Sequence, residues 1–67
     1  MAAFYEEAVA GMIVHHAEKW KQAVSKPELR GWFVGQVLKA CDGRADPAKV
    51  RECLDAHARD YAIREAE

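Results

Sequence analysis

The side chains best suited to chemistry in this sequence are two cysteines and three histidines. Cys53 and His57 are four residues apart, so on a helix they share one face, a spacing that suits two metal ligands. Further ligands would have to come from Cys41, His15 or His16, and no CxxC or HExxH pattern accompanies them. We therefore expect no metal site, with Cys53 as a small core residue and His57 at the edge of the core.

The same residue types give little support for catalysis. The sequence has no glycine-rich phosphate loop, no nucleophile elbow and no pair of acids that a cleft would hold together. Cys41 and Cys53 are expected to stay reduced. His15 and His16 point about 100° apart on a helix, so we expect one to be packed and the other to face solvent. The chain by itself is therefore predicted not to be an enzyme.

Charge is distributed unevenly, although the net charge is only −1. Residues 19–41 carry five basic side chains and one acidic one, whereas residues 52–67 carry five acidic side chains and two basic ones. One end of the molecule could therefore face an anion. Trp20 and Trp32 could stack on bases, but on amphipathic helices of a small domain we expect both to form core.

A chain of 67 residues can build one small hydrophobic core, so we predict a single domain, 1–67. The sequence contains no uncharged apolar run of the roughly 18 residues that a membrane span needs. Its first residues are acidic, whereas a targeting segment would be basic. These features predict a cytoplasmic domain without a membrane partner.

Hydrophobic spacing and capping residues predict an all-α fold, a three-helix bundle with helices at about 2–24, 26–41 and 47–63. The first helix is predicted from apolar positions three or four apart, namely Tyr5, Val9, Met12, His16, Trp20 and Val24. A capping box, Ser25 to Glu28, predicts the start of the second helix. Gly43 fits the left-handed position C′ after the second helix, while Asp46 and Pro47 fit the N-cap and first position of the third.

The second helix is apolar around much of its circumference, so we expect it to lie at the centre of the bundle. Its two glycines, Gly31 and Gly35, are four apart and share a face. The favoured interpretation is that they let a neighbouring helix backbone come close. The alternative is that they leave a flat surface for a ligand.

Residues 31–54, GWFVGQVLKACDGRADPAKVRECL, resemble the C-terminal tail of the B subunit of tRNA-dependent amidotransferases and of YqeY-type proteins. The resemblance covers about residues 25–58 and keeps the family's Gly31, Val34, Gly35, Gln36, Val37, Lys39, Gly43, Arg44, Ala45, Asp46, Pro47, Val50 and Leu54. The chain departs from the family pattern at Cys41, Asp42 and Cys53. The resemblance implies a helical, non-catalytic tail that holds the outer corner of the tRNA, while distant domains activate the misacylated tRNA with ATP and deliver ammonia.

Combined with the charge pattern, this resemblance predicts a tRNA-binding surface around the junction of the second and third helices. Backbone N–H groups near Pro47 could assist in binding phosphate. The candidate phosphate contacts are Lys26, Lys39, Arg44 and Lys49, and Gln36 is a candidate contact to sugar or base. The structural positions of the motif are Gly31, Gly35, Gly43 and Pro47.

The predicted partners are tRNA and the other domains or subunits of a parent amidotransferase. No cofactor is expected in this chain, because ATP and Mg²⁺ would be bound elsewhere in the parent complex. A competing hypothesis is a helical module for protein–protein interaction or homodimerisation without RNA binding, which Trp32 beside Phe33 favours. The sequence leaves open whether the tRNA is of the Gln or Asn type.

Overall fold

A computed structural model of the protein describes residues 4–66. Within this range all regular structure is helical. The α-helices are α1 (Phe4–His15), α2 (Ala17–Ser25), α3 (Arg30–Ala40) and α4 (Pro47–Ala66), and a short 3₁₀ helix (Pro27–Leu29) precedes α3. The all-α class and the bundle are confirmed. The last helix runs three residues beyond its predicted end, where Arg64 pairs with Asp60 one turn earlier at 3.2 Å.

The predicted first helix is divided in two at His16, so residues 4–66 hold four α-helices and not three. His16 leaves helical geometry (φ −123°, ψ 48°), yet its N–H still donates to the Met12 carbonyl at 2.9 Å and its carbonyl accepts from Trp20 N–H at 2.8 Å. Position 16 carries neither proline nor glycine, the residues that mark a break in sequence. The break instead accompanies different packing of the halves, since α1 lies against α3 and α4 while α2 lies against α4 and the 3₁₀ helix.

The capping box predicted at Ser25 does not form. Ser25 is the last residue of α2, so Lys26 takes the cap position of the 3₁₀ helix and its side chain makes no capping hydrogen bond. Pro27 does occupy the first turn, as predicted. The sequence pattern fails here because Ser25 still belongs to α2, and Lys26 adopts the extended backbone of the N-cap in its place.

The core is formed where α3 meets the other three α-helices, which confirms its central place. Its fully buried side chains include Val9, Phe33, Val37, Val50 and Leu54. The other buried members are Trp20, Ala23, Cys41, Ala45 and Ala58. No helix within residues 4–66 is long and apolar enough to cross a membrane.

Candidate functional site

The junction between α3 and α4 begins with a backbone motif that closes the end of α3. Gly43 N–H donates to the Leu38 carbonyl at 2.8 Å, and Asp42 N–H donates to the Lys39 carbonyl at 3.2 Å, the two bonds of a Schellman motif. Asp42 and Gly43 both have positive φ, 53° and 71°. The C′ position therefore belongs to Asp42, one residue before the glycine predicted to fill it. Asp is one of the few residues other than Gly that tolerates this conformation.

The start of α4 is capped as predicted. Asp46 Oδ1 accepts a hydrogen bond from Ala48 N–H at 2.9 Å, and Pro47 is the first helical residue. Fewer backbone N–H groups are therefore free to bind phosphate than the sequence predicted, because Ala48 N–H is already bound and proline has no N–H. Recognition of an anion at this junction would fall mainly to side chains.

Three of the predicted cationic side chains surround this junction. Lys39 lies in the last turn of α3, Arg44 in the connection and Lys49 in the first turn of α4, and all three are exposed. Gln36 lies about one turn before Lys39 and is half-buried. In the part of the chain that the structure describes, the two ion pairs involve other residues, so these three cations are not committed to carboxylates.

Lys26 lies at the opposite end of α3, and is also exposed. At a rise of about 1.5 Å per residue, α3 separates it from the junction by roughly 15 Å or more. Beside it, Arg51 of α4 donates to the Pro27 carbonyl at 3.4 Å, and this arginine was not among the predicted residues. The five candidates therefore form a cluster at one end of α3 and a separate cation at the other.

Arg30, which was not among the predicted site residues, is the most extensively bonded side chain in the described residues. Its Nε and Nη2 donate to the carbonyls of Ala23 and Val24 at 2.9 Å each, and its Nη1 pairs with Asp55 Oδ1 at 2.9 Å. Its side chain is only 13% exposed. Arg30 thus closes the C-terminal end of α2 and ties it to α4. Because a guanidinium so engaged is not available to phosphate, Arg30 is a structural cation.

The two glycines of α3 do not admit a neighbouring helix. Both Gly31 and Gly35 are exposed, and a Cβ atom built at either one meets no atom within 4 Å. The favoured prediction, close approach of a helix backbone, is therefore wrong. An open and low surface on α3 remains, which agrees with the alternative prediction.

The two tryptophans have different environments, although the sequence predicted core positions for both. Trp20 is 2% exposed and packs edge-on against Phe33, with ring centroids 5.2 Å apart. Trp32 is 37% exposed, and its ring forms an edge-to-face pair with the His16 ring, with centroids 4.9 Å apart. The prediction is confirmed for Trp20 and wrong for Trp32. His15 and His16 are both exposed, so neither is buried, but the His16 ring packs edge-on against Trp32 as one of the pair was expected to pack.

Cys53 and His57 lie with Glu6 and Asp60 along an open depression of about 390 Å³. Among the described residues, no group of three or more His, Cys, Asp or Glu side chains is arranged to hold a metal ion. Partial burial raises the pKa of the Cys53 thiol, and the carboxylate of Glu6 raises this pKa further. A raised pKa reduces the thiolate fraction, and the thiolate is the form that attacks electrophiles and binds metals.

Comparison with known proteins defines the family. The family model described as "GatB domain" matches residues 2–57. The B subunit of the aspartyl/glutamyl-tRNA(Asn/Gln) amidotransferase from Brucella anthropi is 51% identical over 51 residues, which cover 76% of this chain and 10% of that protein. The corresponding protein from Bartonella tribocorum is 51% identical over 49 residues, covering 73% of this chain and 10% of that protein.

The chain therefore spans about a tenth of the length of these relatives. No solved structure gives a significant match. The match over residues 2–57 also extends the resemblance predicted for residues 25–58 to the first helix. The extent of the family match and the identity to both relatives show that the chain belongs to the GatB domain family, as its motif predicted.

Proposed function

We propose that this chain is a non-catalytic tRNA-binding tail, which holds the outer corner of the tRNA while other parts of an amidotransferase complex carry out transamidation. The observation that carries the proposal is the way the α3–α4 junction is closed. Backbone bonds and the Asp46 cap complete it, so the side chains of Lys39 and Arg44 are left exposed for a ligand. Family membership supplies the link to tRNA, since the relatives are named as tRNA amidotransferase subunits.

Local charge supports binding to a polyanion even though the whole chain is slightly acidic. Residues 39–51 carry four basic and two acidic side chains, and one of the acids, Asp46, is occupied as a helix cap. Three or four phosphate contacts give a slope of about −3 for log affinity against log salt. A surface this small reads RNA shape more than sequence.

In this proposal the chemistry takes place elsewhere. The sequence has no glycine-rich phosphate loop and no nucleophile elbow, so ATP and Mg²⁺ would be bound by other domains or subunits of the complex. The chain would contribute affinity and orientation for the tRNA, in the cytoplasm where tRNA is aminoacylated. Its other partners would be those domains or subunits.

The test is a titration of the 67-residue chain with unfractionated tRNA at low and moderate salt, measured by filter binding. We expect binding that weakens with salt at a slope of about −3. A double variant, Lys39→Glu with Arg44→Glu, should lose binding at moderate salt. Its residual slope at low salt should be about −1, because two contacts have been reversed.

The matched control is Arg59→Glu with Arg64→Glu, which changes the net charge by the same amount on exposed positions of α4 away from the junction. If both double variants lose affinity equally, the effect is one of overall charge, and the junction is not the site. If the unmodified chain binds no tRNA even at low salt, the proposed function is wrong for the isolated chain.

A second candidate function, docking on another protein, is favoured by one observation. A groove of about 450 Å³ lies between α1, α2 and the end of α4, and its largely apolar wall includes Ile13, Val14, Trp20 and Tyr61. Val14 is 75% exposed. Thermal stability that rises with protein concentration would support this candidate, because association stabilises the folded state by mass action. Replacement of Val14 by Ser should then remove the concentration dependence.

A further inference from the structure

A cleft outside the α3–α4 junction lies where α2 faces the start of α3. It is lined by Lys19, Gln22, Glu28, Leu29 and Trp32, and its volume is about 230 Å³. Pockets that enclose drug-sized ligands hold roughly 300–1,000 Å³, so this cleft fits a smaller group. Its walls combine an aromatic ring, an aliphatic side chain and three side chains with polar ends.

The aromatic wall is held in one orientation. The Trp32 ring meets Phe33 edge-on, with centroids 5.0 Å apart and an interplanar angle of 80°. The ring of His16, at the break between α1 and α2, lies edge-on at 4.9 Å. Lys19 Nζ lies 4.1 Å from the ring centroid, over its face. The neighbouring aromatic rings therefore hold the Trp32 ring in place, and the face under Lys19 is covered by a flexible side chain.

The polar groups around this platform suit the edge of a nucleobase. Gln22 supplies an amide that both donates and accepts hydrogen bonds, and Glu28 supplies a carboxylate that accepts them. Gly31 follows on the open side of α3 and leaves empty space there. A sugar–phosphate backbone could therefore approach α3 without meeting a side chain at that position.

We infer that this cleft binds one unpaired base of an RNA. The base stacks on the Trp32 ring in place of the Lys19 ammonium, and that ammonium is then free to contact a phosphate next to the base. Stacking accepts any base, but the Glu28 carboxylate favours bases with an exocyclic amino group, as carboxylates do with cytosine N4. Cytosine is therefore favoured over uracil. The inference rests on the proposed function for the identity of the RNA as tRNA.

The experiment uses end-labelled octacytidylate and octauridylate, which are single-stranded, and a blunt RNA duplex of mixed sequence. Binding of the 67-residue chain is measured by fluorescence anisotropy. We expect octacytidylate to bind most tightly. The affinity for the duplex should be the same with and without the Trp32 side chain. Trp32→Ala should weaken octacytidylate binding about 5- to 100-fold with the salt slope unchanged, since base–aromatic stacking is lost and no phosphate contact is.

Two further variants keep the test independent of folding. Trp32→Phe retains an aromatic platform and should restore most of the affinity, whereas Glu28→Gln, at an exposed position, should remove the preference for cytosine over uracil. Ile63→Ala is the matched control, an exposed apolar side chain on α4 outside the cleft, and should bind as the unmodified chain does. Circular dichroism checks that each variant keeps its helix content.

Failure of this inference is distinguishable from failure of the proposed function. Octacytidylate affinity that is equal in the unmodified chain and in folded Trp32→Ala overturns the base site, even if tRNA still binds at the α3–α4 junction. Loss of tRNA binding in the Lys39→Glu, Arg44→Glu variant, with none in Trp32→Ala, would support the junction and overturn the base site. Self-association that Trp32→Ala abolishes would assign the exposed ring to a protein interface and overturn it as well.

Discussion

The two ends of α3 are held by different kinds of interaction. At its start, the Arg30 side chain reaches two carbonyls of α2 and a carboxylate of α4. At its end, backbone bonds through Asp42 and Gly43 complete the turn, and within residues 4–66 no cationic side chain takes part. At the start of α3, a cation is thus engaged in holding the fold together, while at its end Lys39 and Arg44 remain available. Position in the fold, and not residue type, separates a structural cation from one that is left uncommitted.

The largest expected effect is the loss of stability when the side-chain network at the start of α3 is removed. Arg30→Ala removes three hydrogen bonds and leaves the last carbonyls of α2 without their partners. We expect the free energy of unfolding to fall by about 2–3 kcal/mol, since hydrogen bonds to a charged donor contribute more than neutral ones and Asp55 is partly in solvent. Urea denaturation followed by circular dichroism measures the change.

Its control is Arg59→Ala, at an exposed position of α4, which should change stability by less than about 0.5 kcal/mol. Arg30→Lys should recover only part of the loss, because a single ammonium cannot reproduce the fork of donors. A loss below about 1 kcal/mol in Arg30→Ala would show that solvent replaces this network at little cost.

The next largest effect concerns the turn at the end of α3, which backbone hydrogen bonds complete. Gly43→Ala places a Cβ atom at a residue with φ of 71°, so we expect a loss of about 1–2 kcal/mol. Gly31→Ala makes the same chemical change within a helix and into open space, and should stabilise by about 0.5–1 kcal/mol. Thermal unfolding of both variants measures the pair. Changes of the same sign would contradict the distinction between a turn glycine and a surface glycine.

The smallest effect concerns the charge at the backbone end. Asp42→Asn keeps a residue that tolerates positive φ, so its stability should stay within about 0.5 kcal/mol of the original. Removal of the negative charge between Lys39 and Arg44 should strengthen tRNA binding severalfold at low salt. Urea denaturation and filter binding measure the two quantities. Unchanged affinity with unchanged stability would mean that the RNA does not approach this turn.

Some features that depend on neighbouring residues in sequence were predictable, although the capping box at Ser25 was not. Asp46 and Pro47 begin α4 as expected because an N-cap is satisfied within its own first turn. Phe33 and Val37 are buried as their spacing indicated. Membership of the family was predictable for a similar reason, since the motif is continuous in sequence.

Features that depend on packing between distant elements were not predictable. The partners of Arg30 come from α2 and α4, so nothing in its local sequence distinguishes it from a solvent-exposed arginine. The break at His16 carries no proline or glycine, and it accompanies the separate packing of α1 and α2. Trp32 fits an apolar stripe by type, yet the other helices cover Phe33 beside it and leave its own ring partly in solvent.

The Arg30 network also determines how much of the chain can be moved as a unit. All the partners of its guanidinium lie between Ala23 and Asp55, so this span holds both halves of the ion pair. A graft onto another protein that included this span would carry the charge together with its counter-charge. A graft that stopped before Asp55 would leave a guanidinium that is largely buried without an anion, which opposes folding. A transplantable version of this domain must therefore extend past Asp55, at least to the buried core residue Ala58.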